Sequence, residues 1–271
     1  MYSTDLFKDK IVLVTGGRSG IGYAISKLML QLGATVVIAS RKEVPLKKAA
    51  EELNAFGTCD YKACDIRKTE QIKTLVKHIK TNHGRLDILV NNAGGQFPAL
   101  AEYINDKGWN AVINNNLNGT FFMCREMGNA FFIPQKQGVI VTITANVFRG
   151  FPGMIHTGAA RAGIENLSKT LALEWSEYNI RVNCVAPGTI ESSGLSTYPK
   201  PVRDMFDAGR KANPLGRFGT VEDVANAVCF IASPLASYIT GITLYVDGAQ
   251  HLNGDVMGLS NVMKAMMRPK K

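Results

Sequence analysis

The chain has no apolar run approaching the roughly 18–20 residues that a bilayer span requires. Its first ten residues, Met1 to Lys10, are polar and carry no signal-peptide pattern, so no membrane span and no secretory leader are expected. Cysteine is scarce: Cys59, Cys64, Cys124, Cys184 and Cys229 are odd in number, scattered, and mostly set in apolar stretches. That excludes a disulfide framework and suits reduced core thiols in a cytoplasmic protein. No close group of His, Cys, Asp and Glu suggests a metal site. Internal repeats and linker-like segments are also missing, so one domain over residues 1–271 is expected. Acidic residues are the minority, 22 against 31 Lys and Arg, for a formal charge of +9. A basic surface suits anionic partners. Without aromatic–basic interleaving or a DNA-binding helix pair, it points to a phosphate-bearing cofactor and substrate rather than nucleic acid.

What is present begins with Ile11-Val12-Leu13-Val14, a strand-type run ending in Thr15-Gly16-Gly17-Arg18-Ser19-Gly20-Ile21-Gly22. A helical pattern follows through Ala24, Ile25, Leu28 and Leu32. Strand, glycine turn and helix together present backbone N–H groups and a positive helix end to a pyrophosphate. Gly16, Arg18, Ser19, Gly20, Ile21 and Gly22 are therefore candidate cofactor residues. The second strand pattern, Ala34 to Ala39, ends at Ser40-Arg41-Lys42. An NAD site would place a carboxylate there for the ribose 2′-hydroxyl. This chain has none; a guanidinium instead pairs with a 2′-phosphate in bidentate fashion, so Ser40, Arg41 and Lys42 point to NADP(H).

A helix near Pro45–Phe56, a strand near Tyr61–Cys64, and Asp65-Ile66 come next; Asp65 and Ile66 are candidates for the adenine edge, and Asp65 can equally cap a turn. Another amphipathic helix (Ile72, Leu75, Val76, Ile79) leads to the strand Leu86–Val90 and to Asn91-Asn92-Ala93-Gly94. Alternating strands and helices predict an α/β, Rossmann-type doubly wound parallel sheet of about seven strands with helices on both faces. Its ligands bind off the carboxyl ends of the strands, where Asn92, Ala93 and Gly94 also fall.

TGxxxGxG, an Asp after the third strand and NNAG together resemble the short-chain dehydrogenase/reductase family. The likeness continues through Trp109–Ile113, Asn116–Thr120, the strand Val139–Thr144, Val182–Gly188 and Gly241–Gly248, covering residues 8–250. The resemblance implies that Pro187, Gly188 and Ile190 complete the cofactor site. It also implies a lid-like substrate loop over about residues 189–218, which hold three prolines and no strand pattern, with a C-terminal tail from about residue 251.

Most members of that family reduce a carbonyl with Ser, Tyr, Lys and Asn. Here the helix that starts at Ile155-His156 carries Thr157 at the Tyr position and Arg161 at the Lys position, four apart on one face. Asn116 matches the Asn, and the Ser position falls at Thr144 or Ala145. A threonine hydroxyl is too weak an acid to protonate an alkoxide, and arginine does not shuttle protons. Conjugate reduction of an activated C=C asks only that the developing enolate oxygen be held by donors. Thr157 can do this, while Arg161 anchors cofactor ribose; His156 and Tyr103 are candidate proton sources. Gly94-Gly95-Gln96-Phe97, Gly108-Trp109 and His156–Gly163 resemble the peroxisomal trans-2-enoyl-CoA and 2,4-dienoyl-CoA reductase branch. The C-terminal Arg268-Pro269-Lys270-Lys271 is not a Ser-Lys-Leu address, so a cytoplasmic relative is expected.

The expected activity is NADPH-dependent reduction of a 2-enoyl or 2,4-dienoyl CoA thioester by a homotetramer. The interface is expected to use the apolar helix of Val224, Ala227, Val228 and Ile231 and the strand Ile242–Val246. Two alternatives remain: an alcohol/carbonyl dehydrogenase of the citronellol type with another proton donor, and a cofactor-binding protein without catalysis.

Overall fold

The structure, a computed structural model, describes residues 2–191 and 213–252. Seven strands form one parallel sheet in the order β3-β2-β1-β4-β5-β6-β9. They are β1 (Ile11–Thr15), β2 (Thr35–Ser40), β3 (Cys59–Ala63), β4 (Ile88–Asn91), β5 (Gly138–Ile143), β6 (Ile180–Pro187) and β9 (Thr243–Val246). A separate two-residue ladder pairs β7 (Ile190–Glu191) with β8 (Gly219–Thr220). The sequence around residues 189–218 shows no strand pattern because these strands have two residues each, too few to display a period. Residues 192–212, most of the expected substrate loop, and the tail beyond residue 252 lie outside the described residues.

The strands are buried on both faces, and their period of two splits the core into two layers. Val12, Val14, Val36 and Ile38 face one layer, with α1 (Gly20–Gln31), α2 (Glu43–Leu53) and α8 (Val221–Ala232). Leu13, Val37 and Leu89 face the other, with α3 (Thr69–His83), α5 (Gly119–Met127) and α7 (Ile155–Glu174). Helix α2 and strand β3 each begin two residues earlier than their sequence patterns suggest. The expected role of Val224, Val228 and Ile231 in an interface is corrected here: all three are fully buried within the one chain, packed in the first layer. A core face and an interface face have the same apolar periodicity, so sequence could not separate them. Half-buried β9 and the exposed Tyr238 and Ile242 remain on the surface beside them.

Strand order reverses between β1 and β4, which opens a crevice above their carboxyl ends. Between β4 and β5 runs a helical stretch of α4 (Asp106–Ile113), α5 and the short α6 (Ile133–Gln135), interrupted by π turns at Asn114–Asn118 and Gly128–Phe132. Such turns frequently mark functional sites, and the first contains Asn116. Among the described residues no helix is long and apolar enough to cross a membrane.

Candidate active site

The glycine turn is stitched to the β4 turn at the crevice. The Thr15 hydroxyl accepts from the backbone N–H groups of Asn92 and Ala93, each at 3.0 Å. Asn92 Nδ2 donates to the Thr15 carbonyl at 2.9 Å. A Cβ on Gly22 would collide with Asn92 Nδ2 and would lie 2.5 Å from the Gly16 carbonyl oxygen. Only glycine allows that approach, and with Gly20 it leaves two of the first three residues of α1 without side chains. This cradle fits a dinucleotide pyrophosphate. Gly16 N–H donates to the Ala39 carbonyl at 2.7 Å, so the turns after β1 and β2 are neighbours. Arg18 and Arg41, both exposed, therefore project from adjacent strand ends, with Lys42 next in line at the start of α2. The Ser40 hydroxyl beside them is buried without a hydrogen-bond partner. A donor-rich corner of this kind fits a ribose phosphate.

Asp65 lies at the end of β3 but is occupied: Arg67 grips it in bidentate fashion, Nε to Oδ1 at 2.8 Å and Nη2 to Oδ2 at 2.6 Å. Those bonds from Arg67 hold its carboxyl below the usual range. Its side chain thus caps the turn, and Arg67, which the sequence reading did not single out, is the reason. Ile66 is buried against Gly119.

The catalytic-end residues converge on α7. Thr157 and Arg161 share one buried face near its N-terminus. Arg161 Nη1 donates to the Ile143 carbonyl at 2.8 Å. Its Nε is buried without a partner. Burial pushes the guanidinium down to about 10, which leaves it charged at neutral pH. A Cβ on Gly94 would strike Arg161 Nη2 and would lie 3.1 Å from Asn116 Oδ1, so Gly94, Asn116 and Arg161 form one cluster. Asn116 in turn brackets Gly95, accepting its N–H at 2.9 Å and donating to its carbonyl at 3.0 Å. The Thr144 hydroxyl turns back to the Val185 carbonyl at 3.4 Å, toward the sheet rather than the cleft.

Neither side chain named as a proton source is well placed. His156 is fully buried; Thr157 N–H donates to its Nδ1 at 2.8 Å, and its Nε2 has no partner. Burial holds its pKa below the ordinary value, and the Phe97 ring closes on it edge-on at 4.5 Å. A neutral ring sealed from water cannot be recharged with protons. Tyr103 is 77% exposed at the mouth of the cleft, with no side-chain hydrogen bond among the described residues. Phe97, Tyr103, Ile104 and Ala111 line an open, largely apolar pocket of about 380 Å³, with Lys107 among its walls.

At the far wall Pro187 ends β6, and Gly188 and Ile190 follow it. Gly188 packs on Asp247, where a Cβ would lie 2.6 Å from the Asp247 Cβ. Asn146, Asp247 and His251 meet here; His251 carried no signal in sequence beyond its four-residue spacing from Asp247. Among the described residues no group of His, Cys, Asp and Glu could hold a metal.

A Rossmann crevice, a glycine cradle and Thr157–Arg161 on α7 define the class, and sequence comparison agrees. The family profile described as Enoyl-(Acyl carrier protein) reductase matches residues 16–251, and the chain belongs to the short-chain dehydrogenase/reductase family of nicotinamide-dependent oxidoreductases. It is 39% identical over 248 residues to a probable (2E)-enoyl-CoA-producing 2,4-dienoyl-CoA reductase of Bacillus subtilis, covering 90% of this chain and 97% of that one. It is also 38% identical to a 3-oxoacyl-acyl-carrier-protein reductase of Thermotoga maritima, covering 88% and 96%. Among solved structures, a citronellol catabolism dehydrogenase of Pseudomonas aeruginosa is 39% identical, with a TM-score of 0.83 and coverage of 93% and 98%.

Proposed function

We propose that this chain is an NADPH-dependent reductase of the C=C bond of 2-enoyl or 2,4-dienoyl CoA thioesters. The observation that carries the reading is Thr157 with Arg161 on the buried face of α7, where a carbonyl reductase of the family holds Tyr and Lys. When bound, NADPH supplies hydride to the β carbon of the substrate. Thr157 donates a hydrogen bond to the thioester oxygen as enolate charge develops there, which favours the transition state without an acid of low pKa. Arg161, fixed on the Ile143 carbonyl, anchors the nicotinamide ribose and supplies positive charge. Asn116 holds the Gly94–Gly95 loop that walls this end of the site. The pocket behind Phe97 takes the apolar acyl chain. Arg18, Arg41 and Lys42 select the 2′-phosphate, with Ser19, Gly20, Ile21, Asn92, Ala93, Pro187, Gly188 and Ile190 completing the cofactor bed. The likeness to the Bacillus subtilis relative supports this substrate class.

We propose further that the protein works in the cytoplasm as one catalytic domain per chain in a homotetramer. The likeness to the citronellol catabolism dehydrogenase supports a second reading, an NADP-dependent alcohol or carbonyl oxidoreductase. Following NADPH absorbance with crotonyl-CoA, and separately with an aldehyde, decides between them. Consumption with crotonyl-CoA alone supports the first reading, and with the aldehyde alone the second. Consumption with neither supports a cofactor-binding protein without catalysis.

A further inference from the structure

Reduction of an enoyl thioester requires a proton at the α carbon, and neither His156 nor Tyr103 is placed to deliver it. The residues after β9 hold another histidine, at the carboxyl ends of the strands. Asp247 is buried, and its carboxylate is saturated with donors. Oδ1 accepts the Ala249 N–H at 3.0 Å. Oδ2 accepts the His251 N–H at 2.8 Å, Asn146 Nδ2 at 3.1 Å, and lies 2.9 Å from His251 Nδ1. A carboxylate on Nδ1 fixes the tautomer: Nδ1 keeps its hydrogen, and Nε2 is left as the atom that exchanges a proton. Tyr245 stacks on the ring at 4.1 Å with 13° between planes, and Phe148 meets it edge-on at 6.1 Å. The imidazole is thus held on two sides and at one nitrogen, while 19% of its side chain stays open to water for reprotonation.

Position ties this pair to the reacting end of the cleft. Asn146 follows the β5 end that carries Thr144, and its N–H donates to the Pro187 carbonyl at 3.2 Å. Gly188 packs on Asp247, and Thr189 N–H donates to Gln250 Oε1 at 3.3 Å. The pair therefore sits across the adjacent carboxyl ends of β5, β6 and β9, beside the Pro187–Gly188 turn.

We infer that His251, oriented by Asp247 as a positioning residue, is the proton donor to the substrate α carbon. This rests on the enoyl-thioester reading above. Hydride bonds to the β carbon and the C=C pair moves onto the thioester as an enolate held by Thr157. That pair then takes the proton from His251 Nε2 at the α carbon as the C=O re-forms, and solvent returns a proton to His251. Imidazole suits the task because one ring nitrogen can exchange a proton while the other stays hydrogen-bonded to a carboxylate. The titratable groups described around it are Asp247, Tyr245 and, acting through Tyr245, Glu165. The plain alternative is that the pair only ties down the chain after β9.

The test is reduction of crotonyl-CoA by NADPH in D₂O, across pH, with parent and His251→Gln. The dyad requires deuterium on one face of the α carbon in the parent, and a kcat that falls as pH rises through one ionisation. His251→Gln should lose on the order of 10² in kcat with KM little changed, as for loss of a general acid. It should also lose that pH dependence and scatter deuterium over both faces, while NADPH still quenches its fluorescence as in the parent. Independently of turnover, ¹⁵N spectra of the cofactor-free parent should show the His251 hydrogen on Nδ1, and Asp247→Asn should release it to both nitrogens. An active parent whose His251→Gln variant keeps both rate and stereochemistry overturns the dyad alone, as does a neutral His251 protonated at Nε2. A parent inert toward enoyl thioesters overturns the proposed function and the dyad with it.

Discussion

Replacing Asn116 by alanine isolates the element that holds the cleft wall. Its side chain makes two hydrogen bonds to Gly95, one to the N–H at 2.9 Å and one to the carbonyl at 3.0 Å, from a fully buried position in the π turn. A neutral hydrogen bond is worth about 1 kcal/mol net. Gly95 is exposed, so water replaces part of what its backbone loses. The expected cost is about 2 kcal/mol, equivalent to a Tm drop of roughly 4–8 °C for a domain of this size. The effect should not stop at stability. Gly94 is wedged against Arg161 Nη2 and Asn116 Oδ1. A loosened Gly95 therefore frees Gly94 and the guanidinium together, and NADPH affinity should weaken several-fold. The control is Asn118→Ala, which removes an Asn118–Asn114 side-chain bond of 2.7 Å within the same π turn. As an exposed pair one turn apart, it should cost only about 0.2–0.5 kcal/mol. Thermal melts and NADPH titration read both variants. If Asn116→Ala melts with the parent and binds NADPH equally well, the bracketing role is refuted.

Arg41→Asp should reverse or abolish a preference for NADPH over NADH, since it places a carboxylate where the 2′-phosphate is proposed to sit; equal dissociation constants for both cofactors in the parent would sink that assignment. Thr157→Val should lower enoyl-thioester turnover on the order of 10²-fold, the size of losing one oxyanion donor, with NADPH affinity nearly intact; full activity would move the donor to the Thr144–Asn146 turn. Asp60 sets an acid limit on stability. Burial pushes its carboxyl up, but hydrogen bonds from His83 at 2.9 Å and His78 at 2.7 Å outweigh this and lower its pKa overall. A lowered carboxyl stabilises the fold above the unfolded-state pKa and loses that contribution as pH falls through the folded one. Tm should therefore decline on acidification below about pH 4, and Asp60→Asn should flatten the decline; an identical pH–Tm curve would contradict it.

The sequence was most informative where one residue type has one physical use. The strand–glycine–helix run at Ile11–Gly22 announces the crevice because few other folds need backbone bare of side chains just after a buried strand. The structure shows why at Gly22, whose missing Cβ makes room for Asn92. The continuous apolar runs of β1 and β2 predict burial on both faces, and Val12 and Leu13 do divide between the two core layers. Legibility failed where one pattern serves two ends. Val224, Val228 and Ile231 have the spacing of an interface and the burial of a core. Asp65 has the position of a ligand-binding carboxylate, but a neighbour two residues on takes both of its oxygens.

The proton source was hidden for another reason. His156 stands in sequence beside Thr157, and Tyr103 lies in the segment that lines the cleft, so both looked available. Adjacency on a helix says nothing of which way a ring faces. His156 is sealed behind Phe97, whereas His251, 95 residues further on, is brought to the β5 and β6 ends by the sheet order alone. Its competence depends on a carboxylate four residues before it and on an aromatic ring stacked against it, both fixed by β9 at the sheet edge. A catalytic pair of this kind is written across three strands. It can be read only after β5, β6 and β9 are known to lie side by side, because no local pattern records that they do.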